Sequence, residues 1–176
     1  MEFHEVIENR FSVRSYKNDP VSAETVKAVV ETALRAPSWG NKQSWRFIIV
    51  NKKVEKNIIG RASGQEPIGK ACEAAPYVVV LCADPEQSGV KNGLNYFMFD
   101  CGLAMENLVL AAQDQGLGTC IVGWFDESAV KAILNLPDHM RVIAYTPLGY
   151  PKENPKVRIR KKPEEMVYFN QWGKGE

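Results

Sequence analysis

The sequence reads as one domain of mixed helix and strand, and three observations carry that reading. The chain has 176 residues, 45% of them hydrophobic, enough to bury a core of its own. Apolar positions recur at helix spacing in some stretches and run unbroken over strand length in others. Elements alternating in this way ordinarily suggest a doubly wound parallel sheet. Yet the first clear element is a helix, and neither G-x-G-x-x-G nor G-x-x-x-x-G-K-S/T occurs. A phosphorylated cofactor would therefore have to be held by side chains.

The elements follow in chain order. Val26, Val29, Val30, Ala33 and Leu34 keep helical spacing, Ser22 can cap the start and Pro37 stops the run, which predicts a helix over Ser22–Arg35. Arg46 to Val50 is a short apolar strand. Tyr77 to Ala83 is a second strand, covered on both faces, because Val78-Val79-Val80-Leu81 is apolar without alternation. Gln65–Ile68 and Gln87–Val90 read as short mobile loops. Asn95 to Gln115 is the longest helix, with Cys101, Ala104, Met105, Leu108, Ala111 and Ala112 inward and Gly116 at its C-cap. Asp100 interrupts that helix and is assigned no role. Gly118–Gly123 is extended, Glu127–Asn135 is a short helix, and Arg141–Leu148 is the last strand. Met166, Val167, Phe169 and Trp172 predict that the tail docks on this domain or on a partner chain.

Composition excludes several functions. With 22 basic against 21 acidic residues the net charge is +1, unlike a strongly basic nucleic-acid protein. Residues 150–162 do hold six basic residues and one acid, but no base-stacking residues interleave, so nucleic acid is not an expected partner. Cys72, Cys82, Cys101 and Cys120 form no Cys-x-x-Cys pair and sit among apolar neighbours, so they are read as buried thiols rather than metal ligands. That usage, with no basic-then-apolar leader and no membrane-length apolar run, predicts a cytoplasmic protein. His4 and His139 adjoin no Ser or Cys partner and are read as surface side chains.

Two clusters could carry chemistry. Arg10, Ser12 and Arg14 share one side of the chain, and two guanidinium forks with a hydroxyl between them suit a phosphate. The same pattern is common on solvated surfaces. Between the first helix and first strand, Ala36-Pro37-Ser38-Trp39-Gly40-Asn41-Lys42-Gln43-Ser44-Trp45 sets two indoles beside two amides. That combination suits a planar heteroaromatic ligand. The alternative is that the indoles pack on the core and the amides satisfy the turn backbone.

Taken in order, these segments resemble the nitroreductase family of FMN-dependent oxidoreductases. The likeness rests on Arg10-x-Ser12-x-Arg14, Ala36-Pro37-Ser38-x-x-Asn41-x-Gln43-x-Trp45 and Gly116-Leu117-Gly118-Thr119 followed by Gly123. It continues through Leu148-Gly149-Tyr150-Pro151 and Pro163-Glu164-Glu165-Met166-Val167. The resemblance implies an α+β fold: a dimeric three-layer α/β/α sandwich on a mixed, mainly antiparallel sheet, spanning residues 1–176, with residues 160–176 as an arm on the partner.

It further implies FMN as cofactor and NADH or NADPH as donor, with nitroaromatics, quinones or similar small molecules as acceptors. By residue, Arg10, Ser12 and Arg14 would hold the phosphate and ribityl chain, with Arg158 or, by preference, Arg160 closing over it. Pro37, Ser38, Asn41 and Gln43 would reach the flavin of the neighbouring subunit. Backbone at Val122 and Gly123 would face the ring. Trp39, Trp124 and Phe125 would shape the acceptor side, with no catalytic side chain, no metal and no membrane. Two other functions remain open on the same fold: specialised chemistry such as dehalogenation or ring oxidation, and FMN binding without turnover.

Overall fold

The computed structural model describes residues 1–154 and 158–173. The chain opens with α1 (Phe3–Asn9) and α2 (Ala23–Ala33), followed by β1 (Trp45–Val50), α3 (Lys53–Arg61), α4 (Glu66–Ala74) and β2 (Tyr77–Ala83). A small hairpin, β3 (Val90–Lys91) and β4 (Leu94–Asn95), leads into α5 (Tyr96–Asp114). β5 (Gly118–Thr119), α6 (Glu127–Leu134) and β6 (Arg141–Gly149) complete the fold.

The sheet order is β1-β2-β6-β5, and every named neighbour is antiparallel. One parallel bridge, Ser12 to Thr119, adds the N-terminal segment outside β5 and makes the sheet mixed. The doubly wound alternative is therefore excluded. Alternate residues of β2 feed two cores. Val79, Leu81 and Ala83 pack with α2 and α5, while Val78, Val80 and Cys82 pack with Ile59, Ile68 and Val130 from α3, α4 and α6. Both faces of the sheet are covered, which is why β2 carries no polar alternation. On β6 a bulge opposite Leu81 and Cys82 lets Ile143 slip out of register, so Val142 and Tyr145 face the same core.

The helices anticipated from periodicity are present. Ser22 Oγ accepts the Thr25 N–H at 3.0 Å, and Gly116 leaves α5 at φ +70°. The stripe on α5 is buried apart from the partly covered Ala111. Expected loops fare differently. Gln65–Ile68 is the start of α4, because Pro67 sits in the first helical turn, where no backbone donor is needed. Gln87–Val90 ends a short 3-10 turn and begins the β3–β4 hairpin, whose turn residues Asn92 and Gly93 both have positive φ.

α6 is fastened to β6 by Glu127, which accepts from Arg141 at 2.9–3.1 Å and from the Val142 N–H at 2.8 Å. The Arg141 hydrogen bond above all holds the Glu127 carboxyl below its usual 4.5. A lowered carboxyl stabilises the fold above its unfolded value and loses that contribution as pH falls through the folded value. Wild type should therefore outlast Glu127→Gln in thermal melts near neutral pH, by no more than about 1 kcal/mol for this partly exposed pair. The gap should close as pH drops below 4.5. A gap unchanged at lower pH would remove the linkage.

Candidate functional site

The N-terminal cluster lies on the outer edge of the sheet. After α1 the chain runs extended beside β5, with the Val13 N–H donating to Thr119 O at 2.8 Å. It then crosses to the end of β6, where Lys17 N–H donates to Tyr150 O and Lys152 N–H to Ser15 O, both at 2.9 Å. Gly118 makes this close approach possible, since a Cβ there would stand 2.5 Å from Val13 Cγ2. Arg10 and Ser12 are half-buried and Arg14 is exposed. Among the described residues neither arginine forms a salt bridge, so both guanidiniums are available to an anion. The Glu153 carboxylate accepts the Arg14 backbone N–H at 2.6 Å and so fixes the backbone instead.

Along the same edge, Val122 exchanges hydrogen bonds with Tyr145, N–H to O at 2.8 Å and O from N–H at 3.1 Å. Thr119 pairs Leu148, so Val122 lies three residues further along β6, about 10 Å away. Gly123 is exposed and has open space where a Cβ would stand. The edge thus offers two cations and a hydroxyl at one end and a bare backbone surface at the other. A phosphate-bearing ligand with a planar ring fits that arrangement.

The second cluster is a strained turn at the start of β1. Gly40, Asn41 and Gln43 have φ of +53°, +56° and +49°. For the two non-glycines this costs roughly 1–3 kcal/mol each and persists only under outside restraint. The restraints are visible: Ser38 Oγ accepts the Gln43 N–H at 3.0 Å, and Arg46 donates to Gln43 O at 3.1 Å and to Gln87 Oε1 at 3.2 Å. Of the two indoles, Trp45 is buried in the core and cannot face a ligand, while Trp39 is 42% exposed. For Trp45 the packing alternative holds.

These clusters stand at opposite corners of one sheet. From the segment outside β5 to β1 there are four inter-strand steps, about 19 Å. β1 begins opposite Ala83 and Arg141, whereas Ser12 neighbours Thr119, the partner of Leu148; that is roughly 20 Å along the strands. The structure therefore gathers Arg10, Ser12, Arg14, Val122 and Gly123, and separates them from Pro37, Ser38, Asn41 and Gln43.

Arg158 and Arg160 are exposed on the C-terminal segment. Trp124 is 81% exposed beside Gly123, and Phe125 is half-buried, its ring 5.2 Å from that of Tyr145. Met166, Val167, Phe169 and Trp172 are all exposed, so none of them is buried in the core of this chain. Both histidines are exposed, and all four cysteines are buried and free. Burial pushes the thiols of Cys72, Cys82 and Cys101 up to about 12. Lys70, which the sequence does not single out, lines an open cavity of about 490 Å³ with Arg14, Asn18 and Lys152, its amino group 2.6 Å from the Glu66 carboxylate. Among the described residues no cluster of His, Cys, Asp or Glu is placed to hold a metal, and no helix is long and apolar enough to cross a membrane.

Comparison with known proteins supplies the context. Residues 7–150 match the pattern of the Nitroreductase family. A crystal structure of a nitroreductase family protein from Clostridium novyi NT superposes with a TM-score of 0.84 at 37% identity, covering 99% of this chain and 96% of its own. A Thermus thermophilus protein named NADH dehydrogenase is 32% identical over 91% of this chain and 92% of its own length. A Bacillus subtilis FMN reductase (NAD(P)H) is 28% identical over 91% and 72%. An iodotyrosine deiodinase from Haliscomenobacter hydrossis also matches, 25% identical over 96% and 89%.

Proposed function

The chain belongs to the nitroreductase family, and from that premise we propose that it works as a homodimeric FMN oxidoreductase. It takes hydride from NADH or NADPH and passes the electrons to a nitroaromatic, quinone or similar acceptor in a ping-pong cycle. The observation that supports the reading is that the two candidate clusters stand at opposite corners of one sheet. A single chain cannot close both on one flavin, whereas two chains related by a two-fold axis complete two sites at once.

In this arrangement Arg10, Ser12 and Arg14 bind the phosphate and ribityl chain, with Arg160 or Arg158 adding a further cation. The backbone at Val122 and Gly123 would face the ring, and the open space beside Gly123 would leave room for it. Pro37, Ser38, Asn41 and Gln43 of the second copy supply amide and hydroxyl groups to the ring. The exposed apolar groups of the C-terminal segment give that copy an anchor. Bound flavin would supply the hydride-transfer chemistry of the cycle. This chemistry needs no protein nucleophile.

The purified protein should be a yellow dimer in light scattering, and NADH or NADPH should bleach it under anaerobic conditions. A colourless protein that takes up no added FMN ends this reading. Failure of quinones and nitro compounds to reoxidise the bleached protein would turn it toward specialised chemistry, such as the dehalogenation named for the Haliscomenobacter relative.

A further inference from the structure

Asp100 is a carboxylate that the flavin chemistry above does not use. It sits in the second turn of α5, is 1% exposed, and forms no salt bridge among the described residues. Its Oδ1 accepts the backbone N–H of Trp39 at 2.9 Å, and its Oδ2 accepts from Ser88 Oγ at 3.2 Å. Trp39 begins the turn that carries Asn41 and Gln43 in left-handed conformations. Ser88 belongs to the segment that becomes the β3–β4 hairpin, whose Val90 and Leu94 are exposed.

The two segments also touch directly. A Cβ on Gly89 would stand 2.4 Å from the Trp39 indole, so the ring lies flat against that backbone. Gly89 O accepts the Tyr96 N–H at 2.9 Å, which ties the same stretch to the start of α5. One buried carboxylate thus holds two loops that meet nowhere in the sequence. A buried polar group is costly unless its hydrogen bonds are made, so the side chain strongly favours the one arrangement in which both donors reach it.

We infer that Asp100 is a positioning residue of the flavin site. Through Trp39 N–H and Ser88 Oγ it fixes the Pro37–Gln43 loop and the hairpin as one unit facing the partner's flavin. This inference rests on the proposed function for its consequence in turnover, but the tether itself can be measured without cofactor.

The test is hydrogen–deuterium exchange over residues 37–43 and 87–91 of the FMN-free protein, followed by steady-state kinetics of the FMN-loaded enzyme. Asp100→Ala should speed exchange in both segments by roughly five- to tenfold. It should also lower kcat/KM by roughly 10- to 100-fold through misplacement of the loop. FMN affinity should fall by less, because the phosphate cluster stands at the other corner of the chain. Asp100→Asn should restore both readouts: its carbonyl can accept from Trp39 and its amide can donate to Ser88 Oγ. Should Asp100→Ala fail to fold, Ser88→Ala carries the test, freeing 87–91 while Trp39 stays bonded.

Unchanged exchange in Asp100→Ala, or in Ser88→Ala if the former does not fold, overturns the inference. So does an Asn variant as impaired as the Ala one, which would make charge rather than geometry the contribution. A wild type that binds no FMN refutes the functional reading and the role at the flavin, and the exchange pattern then still reports the tether separately.

Discussion

Gly118→Ala is expected to yield a protein that folds but no longer retains FMN. The added methyl would stand 2.5 Å from Val13 Cγ2 and 2.8 Å from Val13 Cβ, distances at which one backbone must move. Val13 is 1% exposed and packed with Tyr16, Ala71 and Ala75, so the N-terminal segment shifts as a piece instead of a side chain turning aside. Overpacking of this kind costs roughly 1–3 kcal/mol of stability, which a domain of this size survives. The same shift pulls Val13 N–H from Thr119 O and carries Ser12 and Arg14 off the site. FMN affinity should fall by about 100-fold, as misplacement of a binding group by an ångström can do. Gly102→Ala is the control, since a Cβ there meets nothing within 4 Å. Fluorescence titration with FMN and a thermal melt read both effects; wild-type FMN affinity in Gly118→Ala would sink the placement of the site on this edge.

Arg14→Ala should weaken FMN binding without touching the fold. The side chain is exposed, and among the described residues its one hydrogen bond runs from Nη1 to Ser12 O at 3.3 Å, so little structure depends on it. Loss of one charge-assisted phosphate contact costs roughly 1.5–3 kcal/mol. That corresponds to about a 10- to 150-fold rise in Kd. The melting temperature and the dimer, followed by sedimentation, should stay at wild-type values. Unaltered FMN affinity would remove Arg14 from the phosphate group and leave Arg10 and Ser12 to hold it alone.

How much of this was legible in the sequence varies with the element. α2, α5 and β2 were visible because their apolar pattern and their caps agree: Ser22 before α2, Gly116 after α5, and an unbroken valine run in β2. α3 and α4 were not. They are nine residues each and carry Gly60, Pro67 and Gly69, which read as breakers. Their stability comes from each other: a Cβ at Gly60 would stand 3.1 Å from Gly69 Cα and 2.8 Å from Cys72 Cβ, so the glycines let the two helices touch. A residue that weakens a helix alone can be what allows it to pack, and local propensity carries no trace of that.

The candidate site divides along the same line. The residue types were legible, because a phosphate calls for guanidinium and hydroxyl groups at short spacing whatever fold carries them, and Arg10, Ser12 and Arg14 have that spacing. The family likewise followed from motifs in order along the chain, since order and spacing are properties of sequence. Location did not follow. That Ser12 and Ser38 stand at opposite corners depends on β5 pairing with the far end of β6 while β1 pairs with β2, and strand order is fixed by packing between distant segments. Asp100 shows the same limit at a single residue. In the sequence it is an acid in the middle of an apolar helix, equally suited to solvent or to burial. Only the tertiary structure brings Trp39 and Ser88 to its two oxygens, because hydrogen bonds form between neighbours in space, and the sequence names the donors without saying which will meet.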